Sequence, residues 1–196
     1  EVAENEYVLN PSRYLQRETV VKNGVFFETV IKNITRGAQI KASVLDEIVS
    51  DEPTNMQYLM LANLQDGIIS DELPYLKGID SKYEKYCIKN GSLVISKNAS
   101  PVKMAIASVQ EGNKILANGN LYVIELDKDK INPYFLKAYL ESESGKAALS
   151  RVAVGATLLN LPVEGLKKVI IPLPDLESQK KIADQYYAKL SEIKEL

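Results

Sequence analysis

The feature that most limits how this chain can fold is a change of period near residue 130. Before it, short apolar runs alternate with Asn- and Gly-rich punctuation: Leu93-Val-Ile-Ser96, Val102 to Val109 and Leu121 to Leu126, with Asn90-Gly91, Gln110 to Asn113 and Ala117-Asn-Gly-Asn120 around them. Runs that short, bounded by turn residues, predict strands of a curved antiparallel or mixed sheet. After it, Asn132-Pro133 offers a helix cap and a first-turn proline, and Tyr134, Leu136, Ala138, Tyr139 and Leu140 form an apolar stripe as far as Gly145. A second helix is predicted from Gly145 to Val152, then a flexible loop at Gly155-Ala-Thr157, a single turn over Val163 to Leu166, and a last strand, Val169 to Ile171, stopped by Pro172 and Pro174. From Asp175 the apolar residues Ile182, Ala183, Tyr186, Leu190 and Ile193 recur at helical steps, which predicts a C-terminal helix of coiled-coil type.

The first third is less regular. Val25-Phe-Phe27 and Thr29-Val-Ile31, then Asn33 to Gly37, then Val44-Leu-Asp46, suggest a short helix or strand, a loop and an edge strand. Tyr58 to Ile69 reads as a strand ending in the hairpin signal Asp66-Gly67. A chain of 196 residues with 45% hydrophobic content can bury one good core with a small appendage, but hardly two full domains.

Catalytic chemistry finds little support. The chain has no histidine, which removes Ser-His and Cys-His nucleophiles and the usual imidazole zinc sites. Cys87, the single cysteine, reads as a small apolar filler, and Asp71-Glu72 and Glu141 to Glu143 read as solvated faces. Asn132-Pro-Tyr-Phe135 is similar to the Asn-Pro-Pro-aromatic motif of adenine methylases, but its second proline is replaced, no glycine-rich cofactor loop precedes it, and helix capping accounts for it. Asn10-Pro-Ser-Arg-Tyr14 fails for the same reasons. One cysteine and no apolar run near membrane length point to a cytoplasmic protein with no membrane contact. Glu1 and the residues after it lack the form of a signal peptide, so the chain is expected to be a piece of something longer.

Five segments in order, Asn90 to Asn98, Ala117 to Ile124, Ile131 to Leu140, Gly155 to Pro162 and Ile170 to Gln179, resemble the target recognition domain of type I restriction-modification specificity subunits. In that family the domain reads a short DNA half-site for one partner that methylates adenine and another that cuts. The resemblance implies an α/β (α+β) fold, a curved multi-stranded sheet with short helices followed by the C-terminal helix. Tyr7-Val-Leu-Asn-Pro-Ser-Arg-Tyr-Leu15 looks like the segment that closes the catalytic domain of N6-adenine DNA methylases. It implies a leading arm over residues 1–20, a recognition domain over 21–174 and a spacer or dimerisation helix over 175–196 carrying Ile182, Tyr186, Leu190 and Ile193. No cofactor is expected in this chain, and S-adenosylmethionine in the parent or partner methylase. Expected partners are double-stranded DNA, a methylase domain or subunit, and a second recognition domain or second copy, in a bacterial or archaeal cell.

Recognition needs polar side chains on loops held by a rigid sheet. The candidates are Lys97, for phosphate or guanine; Asn98, for an adenine edge; Thr157 and Asn160, in the segment matching the family's glycine-threonine loop; Arg36 and Arg151, whose guanidinium groups can make two-point contacts; and Lys103. Charge is the objection: 24 basic against 26 acidic residues give a formal charge of −2, whereas self-sufficient DNA-binding domains are usually basic. The bases gather near predicted turns, at Lys32 and Arg36, Lys97 and Lys103, Lys146 and Arg151, and Lys167 and Lys168, while acids lie largely elsewhere. Weak binding by the isolated chain follows. The rival reading is a protein-interaction or assembly domain of a methylase complex, and the map of Lys and Arg discriminates: gathered on one face favours DNA, scattered favours docking.

Overall fold

A computed structural model describes residues 21–155 and 158–194, the side chains of Ile193 and Lys194 excepted. The leading arm over residues 1–20 and Thr157 lie outside the described residues. In chain order the strands are β1 (Gly24–Phe26), β2 (Ile31–Arg36), β3 (Val49–Ser50), β4 (Met56–Leu59), β5 (Leu64–Gln65), β6 (Ile68–Ile69), β7 (Tyr75–Leu76), β8 (Leu93–Ser96), β9 (Met104–Ile106), β10 (Lys114–Ala117), β11 (Leu121–Leu126) and β12 (Ile170–Pro172). The α-helices are α1 (Ala42–Ile48), α2 (Pro133–Glu141), α3 (Glu143–Val152), α4 (Val163–Lys167) and α5 (Leu176–Lys194).

The α/β architecture is layered. An antiparallel four-stranded sheet, ordered β2-β11-β8-β9, lies between the helices and a second four-stranded sheet, ordered β10-β4-β7-β3, in which β10 and β4 run parallel. Leu93, Ile95, Tyr122 and Ile124 pack with Phe135, Leu136, Leu140, Leu149 and Ala183 from the helices. Their neighbours Val94, Leu121 and Val123 point the other way and meet Leu59, Ile115 and Ala117 of the mixed sheet. Burial on both faces is why these strands read in the sequence as unbroken apolar runs instead of alternating ones. On the far side of the mixed sheet, Met56, Tyr58, Leu76 and Leu116 are covered by Leu45 and Ile48 of α1 and by Tyr83 and Tyr86.

Four stretches depart from the sequence expectations. Val44-Leu-Asp46 is helical, because Leu45 and Ile48 stand three residues apart and together cover the third core cluster, which outweighs the β preference of Val44. Asn33 to Arg36 belongs to strand β2, not to a loop, since β11 supplies partners as far as Arg36. The Gln110 to Asn120 region holds a strand, β10, whose register with β4 pairs Lys114 with Met56 and Ala117 with Leu59. The long strand expected over Tyr58 to Ile69 is broken into β4, a 3-10 turn at Leu61–Asn63 and the β5–β6 hairpin. The hairpin signal itself stands: Asp66 and Gly67 have φ of +49° and +78°, as a two-residue primed turn requires.

The helices are fixed by side-chain caps. Asn132 accepts from the amides of Tyr134 (2.9 Å) and Phe135 (3.3 Å), Ser142 from Gly145 (3.2 Å), and Asp175 from Ser178 (2.9 Å). Gln179, fully buried, ties α5 to the start of α2: it accepts from the Asn132 amide at 2.8 Å and donates to the carbonyls of Lys130 (3.0 Å) and Pro174 (2.8 Å). Farther along the same interface lies Lys137, also 0% exposed. Its Nζ is 2.8 Å from Glu141 Oε1 and donates to Tyr186 Oη, whose hydroxyl donates to the other Glu141 oxygen. Glu141 is therefore part of a buried network, not of the solvated face read from the sequence.

This network predicts a pH dependence. Burial pushes Lys137 below its ordinary value against the pull of Glu141, so the unfolded chain holds that proton more tightly and stability rises with pH toward about 10.4. Burial, and next the Glu141 carboxylate, push Tyr186 far upward, so the folded chain holds the phenol proton more tightly and stability falls as pH rises beyond about 10. Burial shifts Tyr58, Tyr122, Tyr134 and Tyr139 the same way. Urea midpoints measured from pH 7 to pH 11 should rise and then decline, and Tyr186→Phe should lessen the decline; an unchanged alkaline limb in that variant counts against the assignment.

Candidate nucleic-acid interface

The two ends of the antiparallel sheet differ in how their basic residues are paired. Register aligns Arg36 with Tyr122, Tyr122 with Ile95 and Ile95 with Met104, so β2 and β8 end where β9 and β11 begin. The residues just past that row are the sequence candidates. Arg36, exposed, donates from Nε to the Gly119 carbonyl at 2.7 Å. The Lys97 amide donates to Asn120 O at 2.8 Å, and Lys103 faces Ser96, donating to its Oγ at 2.9 Å and accepting from its amide at 2.8 Å.

The later loop joins the same end. Asn98 and Asn160 form an antiparallel bridge, Leu161 donates to Lys97 O at 2.9 Å and Ala99 to Leu159 O at 3.1 Å. Asn160 is bridged in turn to Val154, three residues beyond Arg151 in the last turn of α3. Asn160 Oδ1 is buried and has no hydrogen-bond partner among the described residues. Five of the candidates, Arg36, Lys97, Asn98, Lys103 and Asn160, thus come together from three separate stretches of sequence, with Arg151 on the adjoining helix end.

At the opposite end the bases are neutralised. Lys32 and Lys130 bind Asp127 at 3.3 and 3.1 Å, and Lys89 binds Glu125 at 2.8 Å. A hydrogen bond from Lys130 foremost holds the Asp127 carboxyl below its usual range; burial raises Glu125, but bonds from Lys89 and Asn33 outweigh it and leave it lowered. Lys146 and Lys167 are likewise paired, with Glu143 and Glu164 of their own helices. Arg36, Lys97 and Lys103 form no ion pair among the described residues. Lys32 and Arg36, grouped together in the sequence reading, stand at opposite ends of β2. Asn118, Gly119 and Asn120, which the sequence marks as turn punctuation, carry the turn against which Arg36 and Lys97 are held.

The C-terminal helix is not a free stripe. Tyr186 faces α2 in the Lys137 network, Leu190 is 9% exposed, Ile182 is 45% exposed, and the side chain of Ile193 lies outside the described residues. Tyr187 meets Tyr134 edge-on with ring centroids 4.9 Å apart. No described helix is long and apolar enough to cross a membrane, and no cluster of three metal-ligating side chains occurs among the described residues.

The chain is thus an α/β body with a sheet end that carries Arg36, Lys97 and Lys103 and with a docked C-terminal helix. Residues 39–193 match the family model described as type I restriction modification DNA specificity domain, and the chain belongs to that family. No curated protein matches it. Among solved structures it is similar to one from work on complex assembly and conformational transition of the type I restriction-modification system, at 16% identity and a TM-score of 0.62, over 97% of this chain and 45% of that one. It is similar also to the HsdS subunit of Thermoanaerobacter tengcongensis, at 19% identity and TM-score 0.56 over 98% and 45% of the two chains. A type I S subunit from M. genitalium matches at 14% identity and TM-score 0.54 over 87% and 40%. The chain spans less than half the length of each, and at these identities the likeness is one of fold.

Proposed function

We propose that this chain reads a short half-site of double-stranded DNA for a type I-like restriction-modification system, through the sheet end that carries Arg36, Lys97, Asn98, Lys103 and Asn160, with Arg151 beside it and Thr157 as a further candidate from the sequence. The observation that carries the reading is the gathering at that end of Arg36, Lys97 and Lys103, which form no ion pair among the described residues, while Lys32, Lys89 and Lys130 at the other end are paired with Asp127 and Glu125. A phosphate backbone is drawn to local field, not to net charge, so the formal −2 is no obstacle. Backbone contacts from the lysines would set position, and Asn98, Asn160 and Arg36 would meet base edges. The reading extends to a partner or fused methylase, bound to S-adenosylmethionine, that methylates adenine N6, and to a cleavage subunit. Residues 1–20 would join that methylase, 21–174 would read, and 175–196 would meet a second recognition domain or second copy through the exposed side of α5, where Ile182 lies.

The test is selection from a random duplex pool across a salt series, with sequencing of what the chain retains, alone and with its methylase. One enriched half-site is expected. Lys97→Ala with Asn98→Ala should lower its retention about 10- to 100-fold, as the loss of one or two base contacts of about 1–3 kcal/mol predicts, and should flatten the salt slope by about 1 for a lost phosphate contact. Retention with no enriched sequence, even with the methylase present, would overturn the reading in favour of a docking role.

A further inference from the structure

We propose that Tyr58 and Asn118 are positioning residues for the reading edge: a hydrogen bond made inside the core sets the turn on which both Arg36 and Lys97 are held. This rests on the reading of that sheet end as the DNA-reading edge. Tyr58, on β4 of the other sheet, is 1% exposed, and its hydroxyl oxygen accepts from Asn118 Nδ2 at 2.6 Å. Asn118 uses its remaining groups on the turn itself. Its Oδ1 accepts from the Asn120 amide at 2.9 Å, its carbonyl from Leu121 at 2.9 Å, and its own amide donates to Leu59 O at 2.9 Å. The two carbonyls left on the turn are those that hold the basic residues: Gly119 O takes Arg36 Nε, and Asn120 O takes the Lys97 amide.

The chain of contacts therefore runs from a buried phenol, through one carboxamide, to the exposed Arg36 and the half-buried Lys97. The Asn118 backbone is already fixed by Leu59, Leu121 and the parallel bridge to Ala38. What the phenol adds is the orientation of the carboxamide, hence of the Asn120 amide and of the peptides that face Arg36 and Lys97. A misplaced guanidinium loses the paired geometry that distinguishes one base edge from another while keeping its charge. Loss of Tyr58 Oη should thus cost discrimination more than bulk attraction.

Tyr58→Phe keeps the ring in the core and removes only the oxygen, and Leu76→Val, in the same core cluster, serves as a control for mild loss of packing. In the selection described above, Tyr58→Phe is expected to reduce the preference for the enriched half-site over random duplex about tenfold with the salt slope unchanged. Independently of DNA, amide exchange at Asn120 and Lys97 should quicken severalfold, with Asn33 and Glu125 at the far end unaffected. Leu76→Val should do neither at a comparable drop in melting temperature. Equal behaviour of the two variants, or faster exchange with discrimination intact, overturns the positioning role. A wild-type chain that enriches no sequence overturns the reading of the edge, and this role with it.

Discussion

Glu141→Ala is expected to cost about 3 kcal/mol of unfolding free energy, the low end of the range for removing one partner of a buried ion pair, because about a third of the Glu141 side chain still reaches water. Lys137 has no exposed surface, so without the carboxylate its ammonium must either stay charged among apolar atoms or give up its proton. The Tyr186 hydroxyl loses its acceptor in the same step. Replacing the whole network by apolar side chains, Lys137→Met with Glu141→Leu and Tyr186→Phe, should leave stability within about 1 kcal/mol of the parent, since nothing charged then remains to be desolvated. Urea denaturation of the two variants decides it. A triple variant as unstable as Glu141→Ala would mean that packing at the α2–α5 interface, not charge compensation, governs this region.

The second large effect is at Gly37, where Gly37→Ala is expected to destabilise by at least about 3 kcal/mol. A Cβ there would lie 2.2 Å from Asn118 O and 2.6 Å from Ala117 O, backbone atoms that cannot turn aside. Relief requires moving the turn that holds Arg36 and Lys97, so half-site binding should fall further than stability alone explains. Gly78→Ala, where nothing lies within 4 Å of the added carbon, should change stability by no more than about 1 kcal/mol in either direction. Thermal unfolding of both variants tests the contrast, and similar melting temperatures would sink it.

Gly37 also shows how the sequence informs and misleads. Asn33 to Gly37 reads as a loop closed by a glycine, yet the glycine is needed for close approach of two backbones and not for a left-handed conformation. The two strands buried on both faces, the hairpin at Asp66-Gly67 and the Asn132 cap were all readable, because each depends on residues within a few positions of one another. Strands β2 and β10 were not. Asn33 and Thr35 look like turn residues until β11 is set beside them, and Lys114 to Ala117 becomes a strand only against β4. The candidate residues divide in the same way. Their chemistry was evident one at a time, whereas their meeting depends on antiparallel register between stretches far apart in the chain, and so does the separation of Lys32 from Arg36. Tyr58 offered no signal, since its partner stands 60 residues away in the turn between β10 and β11.

The pairing of β1 with β12 sets Gly24 beside Pro172, and Phe27 donates to Val169 O at 2.8 Å. During synthesis α2 and α3 can coil as soon as they emerge, but β2 waits for β11 and β1 waits for β12. Closure is therefore a late, long-range event, and the nascent chain carries its stickiest segments ahead of their partners. A ribosome stalled before Ile170 would display β1 as an open edge, which makes this domain more dependent on uninterrupted translation than its size suggests.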